Sequence, residues 1–435
     1  MKTGISGVLL SWLCIWSCGA SGRQQGQAKE EESVKGVKLE FKVPAKLKAT
    51  AIELHSYENR PVLLSKQLDN LSGKVEIQDT LSQKITGPMA VLLQTDDGSL
   101  WTARLEEGES LGNGIWRYGF EPVKMDQTPQ QSELRAEYIR QHRMPVASGE
   151  YSGITRVKDN VYALVHDKST GGGIHFFNIP LDESGVIGDI QAKECPGNAG
   201  KAGGKDNEDI VFNPSTGTLF VSAEADQSIR EYTIEGEPTG RALEVPEDLK
   251  SIQSNAGFEA LAYDPANDYF WAATEKSLQD EGLNKYIIRL QRFSGLSADK
   301  RYLYMMTPPM IPEDQAASAS AYVHGISAMT AMEDGSLIVM EREVYVPGGS
   351  VIEKALGAFT LSNLYIVDPL RDKGGILEKK LLTRVVTSAL NLANYEGMCL
   401  GPKLSGDRQS LLLVADSQNG QGGLTGEYLQ LFVIK

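Results

Sequence analysis

Between Val37 and Pro122 apolar and polar residues alternate in short runs: VKLEFKV, ATAIELHSY, GKVEIQD, AVLLQT, SLWTARL and IWRYGFE. Turn-forming stretches separate them, including Glu58-Asn59-Arg60-Pro61, Asp96-Asp97-Gly98 and Gly112-Asn113-Gly114. A period of two places alternate side chains on opposite faces of a strand, so about six strands are expected, enough for a small β-sandwich. No catalytic or metal-ligating pattern interrupts residues 37–123. They read as an accessory or binding domain, followed by a linker over 124–134.

The pattern changes from residue 135 to the C-terminus, where one unit recurs. Five windows each hold a first apolar strand, a turn and a second apolar strand that ends at an acid. They are Ser152–Asp167, Glu208–Glu224, Glu259–Glu275, His324–Glu341 and Glu396–Asp416, the last lengthened at its turn by KLSGDRQ. Further strand-like runs follow each window (GIHFFNI, IREYTI, YIIRLQRF, LSNLYIV and YLQLFVI). Recurrent four-stranded units bury their faces against one another around a ring, so an all-β chain with a C-terminal β-propeller is predicted. Five blades are visible, and the loops leave room for a sixth. The last unit lacks an outer strand, and RAEYIRQHRMPV ahead of the first window is placed to supply it.

In such a ring the first strand of each blade lines the channel and the second runs back antiparallel. The residues that open the first strand and close the second therefore approach one mouth. This reasoning gathers Asp167, Glu208, Glu224, Glu259, Glu275, Glu341, Glu396 and Asp416, with Asn207, Asn255 and Asn394 beside them. Any one of these acids could simply accept backbone N–H bonds at a strand end. Eight together would repel unless solvated, protonated or bridged by cations. Oxygen-only ligands suit Ca²⁺, with Mg²⁺ as the alternative. His324 is a candidate proton carrier, and Arg342 either holds a substrate anion or pairs with a neighbouring acid.

Composition narrows the partners. The 435 residues carry 43 Lys+Arg against 57 Asp+Glu, a net charge of −14, which argues against nucleic acid. Met1-Lys2 followed by the uncharged apolar run Gly4–Trp16 has the layout of a signal peptide over residues 1–20. Ile15-Trp16-Ser17-Cys18 resembles a bacterial lipobox, making Cys18 the candidate lipidation site, with plain cleavage near Ala20 as the alternative and residues 21–36 as a polar tether. The expected location is the cell envelope, with membrane contact through that lipid anchor alone. Cys14 and Cys18 fall in the signal, and Cys195 and Cys399 read as two unpaired thiols, with a disulfide between them in an oxidising envelope as the alternative.

Several windows resemble the phytase-like propeller family, also described as "esterase-like activity of phytase". The residues concerned are Asn394-Tyr395-Glu396-Gly397-Met398, Leu411–Asp416, Gly257-Phe258-Glu259-Ala260-Leu261, His324-Gly325-Ile326-Ser327-Ala328 and Met340-Glu341-Arg342. The resemblance spans roughly residues 149–435. It implies an exported, calcium-dependent hydrolase of phosphate monoesters or simple esters. The histidine acid phosphatase signature, the Gly-x-Ser-x-Gly elbow and His-Glu-x-x-His are all absent. On this reading Glu259, His324 and Arg342 are the catalytic candidates and the eight acids the metal candidates, acting on a small anionic or ester substrate. The alternative is a non-catalytic envelope lipoprotein that binds a glycan, peptide or protein, with the N-terminal domain contributing. Lactone hydrolysis at a single channel ion shares the same geometry.

Overall fold

The computed structural model describes residues 34–57, 62–85, 87–125, 129–145, 150–166, 173–193, 206–250, 257–278, 282–372, 375–388, 391–417 and 425–435. Residues 1–20, read above as a signal, together with Asp167, Cys195 and Asn255, lie outside the described residues.

The N-terminal runs form two sheets. One orders its strands Lys74–Ile85, Val34–Lys42, Ile115–Phe120 and Glu109–Gly112. The other orders Leu64–Leu71, Ala49–Ser56, Met89–Thr95, Leu100–Leu105 and Val123–Lys124. Their inward residues meet in one core, with Val37, Leu39 and Phe41 from the first sheet and Ile52, Leu54, Val91 and Leu93 from the second. The alternation read from sequence is this division between core and solvent. Two boundaries differ from the expectation. The first strand begins at Val34, inside the stretch read as tether, and Val123–Lys124 pairs with Leu100–Leu105 rather than starting a linker. In each case the extra residues gain ladder hydrogen bonds that a free tether or linker would leave to water.

Five four-stranded sheets follow among the described residues, and are called first to fifth below. They contain Tyr151–Lys158, Val161–His166, Ile174–Asn178 and Gln191–Lys193; then Asn207–Asn213, Thr218–Ala223, Ser228–Tyr232 and Pro238–Ala242. The third holds Phe258–Asp264, Tyr269–Thr274, Ile287–Ser294 and Ser297–Met305; the fourth Ala321–Ala331, Leu337–Val346, Phe359–Val367 and Lys379–Ser388. The fifth takes Asn394–Leu404, Arg408–Asp416 and Tyr428–Ile434, and its outermost strand is Ala136–Arg143. The segment before the first repeat thus completes the last sheet, tying the two ends of the repeat region together. Three short helices, Glu247–Lys250, Glu313–Ala317 and Val351–Gly357, sit in connections where none was expected.

The sheets close on themselves. Each inner strand touches the next, and the inner strand of the first touches that of the fifth. A separate apolar cluster fills every seam. Ala163 and Val165 meet Ile210 and Val221, and Phe220 meets Phe258 and Phe270. Trp271 and Ile288 meet Ile326 and Val339, while Ala328 and Met340 meet Tyr395 and Leu413. Leu164 and Phe177 meet Leu412 and Leu431. This is a β-propeller, in which each sheet buries its inner apolar faces against its neighbours.

The N-terminal sheets dock on the third and fourth. Tyr57, Ala90 and Leu92 pack with Ile287, Leu303 and Ile376. The Tyr57 hydroxyl donates to the Gly375 carbonyl at 2.6 Å, and Leu283 N–H donates to Glu53 Oε1 at 3.2 Å.

Inner-strand spacing explains Gly153. A Cβ there would lie 2.6 Å from Asp209 Cα and 2.9 Å from Ile210 N. Gly153→Ala is therefore expected to destabilise the protein by about 1–3 kcal/mol through overpacking, measured by urea denaturation; an unchanged midpoint would refute the close approach. The seam between the first and fifth sheets offers a second test. His166, buried beside Tyr151 and His175 (ring centroids 5.1 and 4.0 Å), has both ring nitrogens without a hydrogen-bond partner among the described residues. Burial, then the neighbouring His175, lowers its pKa from 6.5 to about 4. The folded state holds it neutral while the unfolded chain protonates it, so its contribution is present above pH 6.5 and is lost as pH falls toward 4. The stability difference between wild type and His166→Phe should shrink across that interval in acid denaturation; a pH-independent difference would show that the imidazole does not titrate this way.

Candidate metal centre in the ring channel

Each inner strand carries a bulge at the same place. Tyr151 faces His166 while Gly153 faces Val165, so Ser152 is the extra residue. Glu259 is extra between Phe258 (opposite Thr274) and Ala260 (opposite Ala273), and Glu396 between Tyr395 and Gly397. Ser327 is extra between Ile326 and Ala328. In the second sheet Asn207 faces Ala223 and Ile210 faces Val221, which puts Glu208 at the corresponding point. A bulge turns one side chain out of the ladder and re-aims it. Five bulges thus set Ser152, Glu208, Glu259, Ser327 and Glu396 at equivalent positions of neighbouring strands.

The second strand supplies another set. Glu224 N–H donates to the Asp206 carbonyl and Glu275 N–H to that of Gly257, while Arg342 lies opposite Gly325 and Asp416 opposite Asn394. These four residues are equivalent, one step beyond the residue that precedes the bulge.

The two sets bring charges together. Carboxylate oxygens of Glu208, Glu224 and Glu259 lie within 4.8 Å of one another, and all three residues are buried. Glu224 also accepts from Gly257 N–H at 2.8 Å, crossing from the second sheet to the third. Burial, then the charge of Glu275, holds the Glu259 carboxyl well above its usual range despite the opposing pull of Arg342. Arg342 Nη2 donates to Glu275 Oε1 at 2.8 Å, and Nη1 donates to Glu396 Oε1 and, at 3.3 Å, to Asn394 Oδ1. Asn394 Nδ2 donates to the same Glu396 oxygen at 2.7 Å, and Lys276 Nζ lies 3.3 Å from Glu275 Oε2. Burial alone would lower the Arg342 guanidinium; Glu396, Glu275 and Glu259 outweigh it and raise its pKa. Of the two expectations for Arg342, pairing with acids is the one observed.

The fourth window needs a correction. Its true equivalents are Ser327 and Arg342, not His324 and Glu341. Neighbouring residues of a strand point to opposite faces, so moving one place from Glu341 to Arg342 exchanges an acid for a base. Glu341 is held elsewhere, accepting from the Tyr304 hydroxyl, from Lys379 Nζ at a short contact, and from Thr307 N–H at 3.0 Å. His324 lies opposite Glu343, half-buried and edge-on to Tyr286 at 6.0 Å, its pKa lowered by burial against the pull of Glu341 and Glu343. Asp416 is buried opposite Asn394. Among the described residues, the expected set retains five glutamates around Arg342 and the Glu208–Glu224–Glu259 cluster, with Asp416 in the equivalent register position and Glu341 facing elsewhere.

Sequence reasoning missed Asp209. Buried next to Glu208, it accepts Ile210 N–H and Leu261 N–H, each at 2.8 Å, clasping the second sheet to the third. Burial raises its pKa well above the usual value, with those two N–H donors opposing. The Glu208-Asp209 pair was the available signal: one acid turned out by the bulge, the next turned into the seam. Cys399 is buried and free, and burial raises its thiol pKa.

A cavity of about 1220 Å³ lies apart from this centre, between the N-terminal sheets and the ring. Leu100, Arg104, Tyr286, Met305, Thr307 and Lys379 line it, and none of the clustered glutamates does.

A closed ring of four-stranded sheets with carboxylates turned inward at matching bulges defines a propeller with an acidic centre. The chain belongs to the Phytase-like family, described as esterase-like activity of phytase, which it matches over residues 146–418. No curated protein matches it. Among solved structures it is similar to a member of the duf4221 family from Bacteroides vulgatus, at 10% identity over 70% of this chain and 99% of that one, with a TM-score of 0.36. It is also similar to a structural-genomics protein of unknown function from Bacteroides thetaiotaomicron, at 9% identity, covering 88% and 90%, TM-score 0.33. The PQQ-bound aldose sugar dehydrogenase of Streptomyces coelicolor matches at 14% identity over 79% and 91%, TM-score 0.27.

Mutual repulsion in the cluster has a measurable consequence. With chelator present, Glu259→Gln should stabilise the protein by about 1–2 kcal/mol near neutral pH, because it removes a charge that burial and Glu275 disfavour. Thermal unfolding in chelator reads this directly; a less stable variant would mean that Glu259 is favourably paired as an anion.

Proposed function

We propose that the protein is an exported, divalent-cation-dependent hydrolase of phosphate monoesters or simple esters, acting at the channel of a five-bladed propeller that follows an N-terminal β-sandwich. The observation that carries this reading is the convergence of Glu208, Glu224 and Glu259 oxygens within 4.8 Å in a buried setting. The donor set fits the ion. It is all oxygen and anionic, it comes from two adjacent sheets, and Ca²⁺ or Mg²⁺ prefers such ligands. Membership of the family supports the hydrolytic class.

A bound cation in that place would offset charge on a substrate oxyanion and lower the pKa of a water. The protein's own residues do the rest. Glu208 and Glu224 would hold the cation from the second sheet, and Glu259 from the third. Arg342 keeps Glu275 and Glu396 oriented, and Asn394 donates to the same Glu396 oxygen that Arg342 engages. His324 lies outside the cluster, its pKa lowered by burial against the pull of Glu341, Glu343 and Glu275, and is assigned the proton-carrying role. Residues 1–20 would direct export and Cys18 anchor the chain to the envelope; no helix among the described residues is long and apolar enough to cross a membrane.

The cavity between the N-terminal sheets and the ring favours a second reading, in which the protein binds a glycan, peptide or protein there without turnover. Hydrolysis of p-nitrophenyl phosphate and p-nitrophenyl acetate separates the two. Chelator should abolish the active one of these reactions and Ca²⁺ restore it, while Glu208→Gln and Glu224→Gln should each lower kcat/KM at least about a hundredfold. Full activity in chelator would reject the metal mechanism, and no activity on either ester with Ca²⁺ present would favour the binding reading.

A further inference from the structure

Arg342 stands where the second and third sheets present Glu224 and Glu275 and the fifth presents Asp416. At the seam of the second and third sheets, the residue closing the second strand (Glu224) meets two bulge glutamates, Glu208 and Glu259. At the fourth sheet the corresponding residue is a guanidinium. It lies between Glu275 of the third sheet and Glu396 of the fifth, and is only 4% exposed. The bulge residue of that sheet is correspondingly a serine rather than a glutamate. A Cβ at Gly325 would lie 2.4 Å from Glu275 Cγ, so Glu275 reaches across onto the same strand. One seam therefore gathers negative oxygens, and another carries a built-in positive charge between them.

Two further polar atoms belong to this charge set and its strand neighbour. Ser327 Oγ, on a residue 1% exposed, and Arg342 Nε are both buried without a hydrogen-bond partner among the described residues. Buried polar atoms are almost always satisfied by protein, water or ligand. These two belong to paired strands of one sheet, and the guanidinium itself already touches Glu275 and Glu396.

We infer that Arg342 takes the place of a second cation: the channel holds one divalent ion, on Glu208, Glu224 and Glu259, while the guanidinium permanently occupies the position between Glu275 and Glu396. The inference rests on the metal-site reading above but not on hydrolysis. It makes ion stoichiometry a property of residue 342. Arginine suits the role because its charge persists at any physiological pH and its planar fork can serve two carboxylates at once.

The test counts bound Ca²⁺ by equilibrium dialysis with elemental analysis on the full chain, and follows thermal unfolding in chelator and in millimolar Ca²⁺. Wild type should bind one ion and Glu259→Gln none. Arg342→Gln should bind two, and its melting temperature should rise more on adding Ca²⁺ than that of wild type. The triple variant Arg342→Met/Glu275→Gln/Glu396→Gln removes the whole neighbouring charge set and avoids a stranded buried charge. It should still bind one ion. Two ions in wild type, one in folded Arg342→Gln, or none in the triple variant would each overturn the inference while leaving a metal-dependent enzyme intact. No ion in wild type would instead remove the metal reading itself.

Discussion

Five inner strands packed side by side constrain everything else in the ring. They approach so closely that Gly153 has no room for a methyl group against Asp209, and Gly397 would place one 2.9 Å from Gly153 Cα. That proximity lets side chains of different sheets share one small volume. Each strand has to satisfy its own ladder and still present a residue to the channel, and the bulge does both. Lateral packing also explains why every seam is apolar behind the bulge and polar at it. Ala163, Phe220, Trp271, Ala328 and Leu412 exclude water from the seams, which strengthens each electrostatic contact at the bulges beside them.

Buried carboxylates are tolerable only with compensation, and the centre uses more than one form of it. Arg342 with Asn394 serves Glu275 and Glu396. Backbone N–H groups serve Asp209 and Glu224, which is the use that a strand end makes of an acid in many repeat proteins. Glu259 differs, since its largest influences all disfavour the charged form except Arg342. A group in that position either holds a proton or waits for a cation. Removing one partner of a buried pair is far more costly than never having built it. The Arg342 set is for that reason best regarded as a unit, and single substitutions within it report on strain as well as on function.

Much of this was legible in the chain. Alternation in VKLEFKV and its successors marked the N-terminal strands, and recurrence of a two-strand window marked the ring. RAEYIRQHRMPV was recognisable as the missing strand because the last repeat ends one strand short. Glu208, Glu224, Glu259, Glu275 and Glu396 were found by their places at the ends of the windows. The fourth window failed because it contains two acids around a base, Glu341-Arg342-Glu343, and a one-residue shift swaps faces. The motif Ser-Ala-Met-Thr beginning at Ser327, set against Glu-Ala-Leu-Ala beginning at Glu259, carries the true register. A bulge adds a residue without changing composition, so window length alone could not reveal it. The three short helices were missed for another reason: each is confined to a connection, too brief to show a helical period.

The cavity and the acidic centre are built by different parts of the chain. The cavity needs Arg104 from the N-terminal sheets and Thr307 and Lys379 from the ring, so it exists only because the two units are docked. The acidic centre draws its side chains from the first and second strands of the ring sheets, and none of them comes from the N-terminal sheets. Lys379 and Thr307 link the two, since both line the cavity and both bond Glu341, one strand position from Arg342. Adjacent residues on that strand thus face two separate environments. Glu341 anchors the connection that borders the cavity, while Arg342 sets the charge of the channel. Any coupling between an occupant of the cavity and the chemistry of the channel has its shortest covalent route through that single peptide bond.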